Sequence, residues 1–223
     1  MKKTKLFIAV ALVVCVVSVF ALCACKMDVT VESNATAENY EDTVELVNYV
    51  IHTPLENKNF VVTANVDGRL YFTETVVGDN DYFVYAKDES ATYAIKDGEE
   101  YVTLSVSNED HYSISGKENY DDNYCIFYNN YILSFLEDAK ANGKYDLSYH
   151  YLEEGGKSNA KLSGTIVIDE DLNYVIDATF TDGLIKEIAL TMDGGESGKT
   201  SLSMTFAYGS ASINVPDYKS WDK

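Results

Sequence analysis

Hydrophobic and polar positions recur with two different periods along this chain. Near the N-terminus, apolar residues at helical spacing predict a helix that ends at Pro54. Its stripe consists of Tyr40, Val44, Val47 and Ile51, and Thr36 is the expected N-cap. From residue 59 onward the period changes to two, which is typical of strands with one buried face.

This alternation predicts about ten strands. Their approximate ranges are 59–66, 69–77, 82–85, 91–96, 99–107, 111–115, 162–168, 176–181, 184–192 and 201–208. Asp-Gly pairs at 67–68, 97–98 and 182–183 indicate tight hairpin turns. The stripe expected to face the core consists of Leu162, Ile166, Phe180, Ile188 and Phe206, and the residues expected to point outward are Ser163, Thr165 and Thr205.

A second helix is predicted at residues 121–142, between the two groups of strands. Its wide apolar face consists of Tyr124, Phe127, Tyr128, Tyr131, Phe135 and Ala139. Gly143 follows at the position of a C-terminal cap. Because this helix is rich in aromatic residues, we expect it to pack on the sheet.

These elements predict an α+β fold. Ten strands at about 4.8 Å each span roughly 48 Å, and two helices of roughly 10 Å cover less than half of that width. The apolar face must therefore curl, and the expected architecture is a strongly curved antiparallel half-barrel with two helices on its concave face. A closed barrel would satisfy the same pattern.

The N-terminus has the pattern of an export signal. Lys2, Lys3 and Lys5 precede a run that is apolar from residue 6 to residue 25 except for Ser18. The run ends in Leu22-Cys23-Ala24-Cys25, which resembles the lipobox of bacterial lipoproteins. The resemblance implies that the Cys25 sulfur receives a diacylglycerol, with palmitate as an acyl chain, and that cleavage of the Ala24–Cys25 bond makes Cys25 the first mature residue. An uncleaved membrane anchor is the alternative, because the run is just long enough to span a bilayer.

Three segments follow from this interpretation. Residues 1–24 are the lipoprotein signal peptide, residues 25–35 are a tether after the lipidated cysteine, and residues 36–223 form a single domain. The predicted location is the extracytoplasmic side of the cell membrane. Both the lipobox and the uncleaved-anchor interpretations place the domain there.

The mature chain is strongly acidic. Without the three leader lysines, 14 basic and 36 acidic residues remain, a balance of −22. Phosphate backbones require a basic surface, so this charge argues against a nucleic-acid partner. Cys125 is the only other cysteine of the mature chain, and a lone cysteine in an apolar pattern is usually a buried small residue.

The sequence contains no Gly-x-Ser-x-Gly elbow, no His-Glu-x-x-His motif and no phosphate-binding loop. His52, His111 and His150 lie in different elements without metal-ligand spacing. Asp169, Asp171 and Asn173 begin like a calcium-binding loop, but Tyr174 stands where glycine is required and Phe180 stands where the loop needs glutamate, so a tight turn explains the acids better. We therefore expect no enzyme activity, no metal and no cofactor. The 18 tyrosines are compatible with a sugar- or peptide-binding surface, although tyrosine is also a favoured half-buried strand residue.

The order of elements resembles the LolA/LppX-like superfamily of lipid-binding envelope lipoproteins. The resemblance covers most of residues 36–217 and ends on Ile213-Asn214-Val215-Pro216; it rests on order and patterning, not on a motif. It implies an apolar ligand, a lipid or acyl chains, held in a cleft between the helices and the sheet. The cleft residues it favours are Phe127, Tyr131 and Phe135. The alternative is an interaction or envelope-sensor module that contacts a membrane-protein partner and holds no lipid.

Overall fold

The computed structural model describes residues 34–87, 90–107, 111–119, 143–154, 157–168, 172–194 and 198–220. These residues form twelve strands and one α-helix, α1 (Tyr40–His52). The strands are β1 (Ala35–Ala37), β2 (Asn59–Val66), β3 (Arg69–Val77), β4 (Asn80–Tyr85), β5 (Ala91–Asp97), β6 (Glu100–Ser107), β7 (His111–Asn119), β8 (Lys144–Glu154), β9 (Lys157–Val167), β10 (Leu172–Thr181), β11 (Leu184–Gly194) and β12 (Thr200–Tyr208). Short 3₁₀ helices span Thr53–Glu56 and Tyr218–Ser220.

All twelve strands form one antiparallel sheet in the order β1-β8-β9-β10-β11-β12-β2-β3-β4-β5-β6-β7. Two meanders, β2 to β7 and β8 to β12, are joined where β12 pairs with β2. Because β1 and β7 stand at the two ends of this order, the sheet is open.

Two of the predicted Asp-Gly turns are confirmed by their backbone angles. Asp67 and Gly68 have φ of 49° and 74°, and Asp182 and Gly183 have φ of 52° and 72°. Positive φ at both central residues defines the two-residue turn whose twist matches a hairpin. The Asp67 carboxylate also accepts a hydrogen bond from the Ser201 amide at 2.9 Å, which ties this turn to β12.

Helix α1 begins three residues later than the sequence predicted. Asn39 is extended and its side chain accepts from the Asp42 amide at 2.9 Å, so Asn39 is the N-cap. Thr36, the predicted cap, lies in β1 opposite Ser148. The pairing with β8 therefore displaces the helix start, a contact between distant parts of the chain that local sequence does not reveal.

The side of the sheet on which α1 packs is called here the helix face, and the opposite side the outer face. Tyr49 of α1 stacks on Phe180, with ring centroids 5.8 Å apart, and meets Tyr149 edge-on at 5.6 Å. The predicted core stripe is confirmed on this face: Leu162 and Ile166 are fully buried, and Phe180, Ile188 and Phe206 are at most 6% exposed. The outward prediction also holds, since Ser163, Thr165 and Thr205 lie one residue out of phase with that stripe.

The apolar side of the sheet changes between β4 and β5. Cross-strand partners share a face of the sheet. One row of such partners on the outer face crosses five strands: Val61, Thr75, Tyr82, Tyr93 and Leu104. Leu104 is nonetheless fully buried there, in a second cluster with Ile95, Val102 and Tyr218. The first cluster, on the helix face, draws on β2 to β4 and β8 to β12.

The predicted half-barrel with two helices on a concave face is wrong. The sheet is a single open one of twelve strands, and the described residues contain one short helix, which contacts β1 and β8. A half-barrel needs one apolar face throughout, whereas here the apolar side chains of β5 and β6 pack on the outer face as well. The second predicted helix, residues 121–142, lies outside the described residues.

Candidate functional site

The residues that the sequence nominated for function lie outside the described part of the chain. Leu22, Cys23, Ala24 and Cys25 precede Asn34, the first described residue. Phe127, Tyr131 and Phe135 fall between β7 and β8, also outside it. The candidate site described below therefore lies on one of the two faces of the sheet.

The helix face is closed over its central strands. Val62, Ala64 and Phe72 on β2 and β3 have no solvent exposure, and Phe83 on β4 is only 2% exposed. Phe72 and Phe83 pack with ring centroids 4.8 Å apart. A ligand-binding wall must be reachable from solvent, so these positions belong to a filled core.

Two acidic side chains interrupt that core. Glu74 is fully buried and lies between Val62 and Phe83 in the cross-strand row, and Asp81, 3% exposed, lies opposite Val76. Both interact with other groups of the protein. Burial of a charge without such interactions is strongly unfavourable. The sequence alone indicates that Glu74 is buried, because Glu74 lies between Phe72 and Val76 in the alternating positions of β3 that face the core.

The outer face of the central strands is free of charge. Twelve outward positions on β12, β2, β3 and β4 form what we call the neutral patch: Ser201, Ser203, Thr205, Ala207, Val61, Thr63, Asn65, Thr73, Thr75, Val77, Tyr82 and Val84. All of them are exposed or half-buried. Since 24% of the chain is charged, about three of twelve positions would carry charge at the chain average, and none does.

Charged side chains border the patch on the β9–β11 side. Lys161 pairs with Asp177 at 2.8 Å on the outer face of β9 and β10. Thr179 lies in the same cross-strand row, between Lys161 and Glu187. In this row the change from charged to neutral positions therefore occurs between Glu187 of β11 and Thr205 of β12.

The other border is aromatic. Tyr82 stacks on Tyr93 of β5, with ring centroids 4.3 Å apart and planes inclined by 28°. Beyond them a C-terminal strap, residues 209–220, leaves β12 beside Asn59 and ends on the second cluster. The Tyr218 hydroxyl donates to Asp97 at 2.8 Å, and burial together with this bond raises the pKa of Tyr218 to about 12.

Positive charge gathers at the end of the sheet where the strap lies. Asp79 accepts from Lys58 at 2.7 Å and from Lys96 at 3.0 Å, and these hydrogen bonds hold the pKa of Asp79 below its usual value. Lys219 pairs with Asp97 at 3.1 Å. These lysines are thus neutralised by neighbouring carboxylates and do not form a basic surface.

Asn34 is the residue directly before β1. The Asn34 side chain accepts from the Tyr151 amide at 3.0 Å, at the place where the next strand residue would otherwise pair. Pairing between β1 and β8 therefore stops at Asn34, and the last residues of β8 extend beyond this pairing. Leu152 there is 58% exposed.

Two comparisons with known proteins found no match for this chain. No protein-family model matches it. No curated protein matches it either. In the described ranges no helix is long and apolar enough to cross a membrane, and no group of three histidine, cysteine or acidic residues is placed to hold a metal ion.

Proposed function

We propose that this chain is an exported, lipid-anchored, non-enzymatic binding protein that presents the outer face of its sheet to a partner outside the cell membrane. The lipobox-like Leu22-Cys23-Ala24-Cys25 after an apolar run supports the anchor and the extracytoplasmic location. The membrane is thus one partner, through the lipid on Cys25, and the charge of −22 disfavours nucleic acid.

The observation that carries the proposal is the contrast between the two faces. On the helix face, Val62, Ala64 and Phe72 are sealed from solvent by the protein itself. On the outer face of the same strands, Thr63, Thr73 and the rest of the neutral patch reach solvent. Binding on an exposed face requires no opening of the core, which favours a surface module over an internal carrier.

The competing hypothesis is an apolar ligand, lipid or acyl chains, held by Phe127, Tyr131 and Phe135. Buried Glu74 and Asp81 count against an acyl-chain lining on the helix face of β3 and β4, because carboxyl groups do not favour hydrocarbon. The two hypotheses differ in whether the protein binds free fatty acid at all.

A fluorescent fatty acid titrated against the full-length chain in nonionic detergent tests the choice, with Phe135→Asp as the matched variant. We expect neither protein to bind saturably. Saturable binding by the wild type that Phe135→Asp abolishes, with an unchanged circular dichroism spectrum, would overturn the surface-module proposal. Native mass spectrometry gives a second readout, the presence or absence of a co-purified lipid beyond the covalent anchor.

A further inference from the structure

The neutral patch is rich in hydroxyl groups. Seven of its twelve residues carry one: Ser201, Ser203, Thr205, Thr63, Thr73, Thr75 and Tyr82. A hydroxyl donates one hydrogen bond and accepts up to two. The Ser201 and Thr205 hydroxyls already donate to the Asp67 carboxylate at 3.3 Å and to the Thr63 carbonyl at 3.5 Å, so they offer acceptors to a partner. Asn65 adds an amide. A partner that matches this surface must itself offer both donors and acceptors at short intervals.

The hydroxyl groups stand in fixed rows. Thr205, Thr63 and Thr73 are direct cross-strand partners, so they repeat at about 4.8 Å across β12, β2 and β3. The strands that carry them lie in the middle of the sheet, paired on both sides. Such rigidity reduces the conformational entropy that is lost when a ligand binds.

Charge narrows the chemistry of the partner. The overall negative charge repels anionic polymers and attracts cationic ones, but none of the twelve patch residues carries a carboxylate that could pair with a cation. The nearest carboxylates stand at its edges: Asp67, in the turn between β2 and β3, accepts hydrogen bonds from the Ser201 amide and hydroxyl, and Glu187 of β11 is the cross-strand partner of Thr205. The surface therefore suits an uncharged, polar partner.

The area of the neutral patch favours a chain-like partner over a folded protein. Twelve positions at about 4.8 Å by 6.8 Å per residue pair give a patch of about 400 Å². A stable protein interface covers roughly 800 Å² on each partner. The patch is therefore too small for a stable interface with a second copy of this chain or with another folded domain. A narrow polymer lying across a few strands needs no larger area.

The aromatic border adds a second element of recognition. Tyr82 and Tyr93 form a rigid stacked pair beside Thr75, with a half-buried apolar body and polar hydroxyl tips. Aromatic rings contact the apolar C–H surface of sugar rings while neighbouring hydroxyl groups bond to theirs. Both groups are present side by side on β3, β4 and β5.

We propose that the neutral patch binds an uncharged glycan chain. The proposal rests on the function inferred above, in which the outer face is the binding surface, and it names the chemical class of the partner. Thr205, Thr63 and Thr73 supply the hydrogen-bonding row, and Tyr82 with Tyr93 supplies the aromatic contact.

Affinity electrophoresis of the full chain in a polyoxyethylene detergent tests the proposal. The gels contain soluble β-glucan or hydroxyethyl cellulose as neutral polymers, polygalacturonate as the anionic one and chitosan as the cationic one. We expect a neutral polymer to retard the wild type and polygalacturonate to leave it unretarded. Thr205→Lys should weaken the retardation about tenfold, because the ligand would cover an ammonium group.

Thr179→Lys is the matched control. Thr179 is also exposed, lies in the same row and face, and gains the same charge, but it stands among charged residues two strands away. It should bind like the wild type. Thr63→Val removes one hydroxyl at nearly constant shape and should also weaken binding, which keeps the test valid if a lysine variant folds poorly.

Three results would overturn the glycan assignment: no retardation by either neutral polymer, equal loss in Thr179→Lys and Thr205→Lys, or stronger retention by chitosan alone. A dimer in analytical ultracentrifugation that Thr205→Lys dissociates would assign the patch to a second copy instead. None of these results produces fatty-acid binding, so failure here is distinguishable from failure of the surface-module proposal.

Discussion

Neighbouring residues on β12 show how unequally the two faces contribute to stability at the residue scale. Phe206 is 6% exposed on the helix face and packs near Phe60, whereas Thr205 is exposed on the outer face. We expect Phe206→Ala to lower the free energy of unfolding by about 3–5 kcal/mol and Thr205→Ala by well under about 1 kcal/mol. Urea unfolding measures both, and equal small losses would mean that the strand register is misassigned.

Gly164 marks a place where two strands approach more closely than a side chain permits. A Cβ atom built there would meet the Asp146 carbonyl oxygen and lie 2.6 Å from the Leu147 Cα atom. Because backbone atoms cannot rotate away, Gly164→Ala should cost about 1–3 kcal/mol through displacement of β8. The neighbouring Thr165→Ala is the control in the same urea experiment and should cost less; a neutral Gly164→Ala would contradict the close approach.

The phenol of Tyr218 makes stability depend on alkaline pH. Its pKa is raised from 10.0 to about 12, first by burial and then by the bond to Asp97, so the unfolded chain loses this proton first as pH rises. The contribution is complete below pH 10 and is lost between about pH 10 and 12. Tyr218→Phe should cost about 0.5–1.5 kcal/mol at pH 7 and show a shallower loss above pH 10.

Denaturant midpoints for the wild type and Tyr218→Phe at pH 7, 9 and 10.5 measure this difference. Tyr149 and Tyr208, whose pKa values burial also raises, remain in both proteins and contribute equally to each. Parallel pH curves for the two proteins would show that the Tyr218 proton is not linked to folding.

At the scale of elements, the second cluster makes β5 to β7 depend on the strap. Ile95, Val102 and Leu104 pack with Tyr218 on the outer face, and among the described residues Tyr93 and Ile114 also pack against this cluster. Small separate clusters open independently of the main core. Tyr218→Ala should therefore speed amide hydrogen exchange in residues 91–107 and leave residues 157–194 unchanged. A uniform increase along the chain would mean that the sheet unfolds as one unit.

Elements with a strict local period were predictable from sequence. The ten expected strands all occur, because strands such as β10 and β12 alternate without interruption and end in defined turns. Strand β8 was missed although Tyr145, Leu147, Tyr149 and Tyr151 alternate with polar residues, a signal as clear as that of β10. Strand β1 has only three residues, too few for a period, and exists because β8 offers an edge to pair with.

At the scale of the whole molecule, the architecture was not predictable by the same means. Alternation states that a strand has an apolar face but not on which side of the sheet that face lies. The change of side between β4 and β5 is set by cross-strand pairing, such as Tyr82 with Tyr93, which is non-local. The neutral patch was missed for the same reason, since its residues come together only when β12 pairs with β2.

The anchor is also a property of the whole molecule. If Cys25 carries the lipid, Cys25→Ala should leave an uncleaved, unlipidated precursor, because Cys23, the other thiol at the end of the apolar run, stands two residues before the lipidated position of the lipobox. Metabolic labelling with an alkyne fatty acid, followed by gel mobility, measures this, with Cys125→Ala as the control that labels normally. Normal labelling of Cys25→Ala would contradict the lipobox interpretation.

The short segment between Cys25 and β1 limits how far the domain can lie from its proposed lipid anchor, and this distance affects how several copies would bind together. Eight residues lie between Cys25 and Asn34, which makes nine steps along the chain, so an anchored domain stays within about 30 Å of its lipid. Many copies confined to one bilayer would meet the same long polymer together, and each bound copy raises the local concentration of the next contact. Avidity of this kind multiplies affinity by roughly 10²–10⁴ without any new interaction. A patch too small to bind tightly alone would then suffice to hold a membrane against a polymer network.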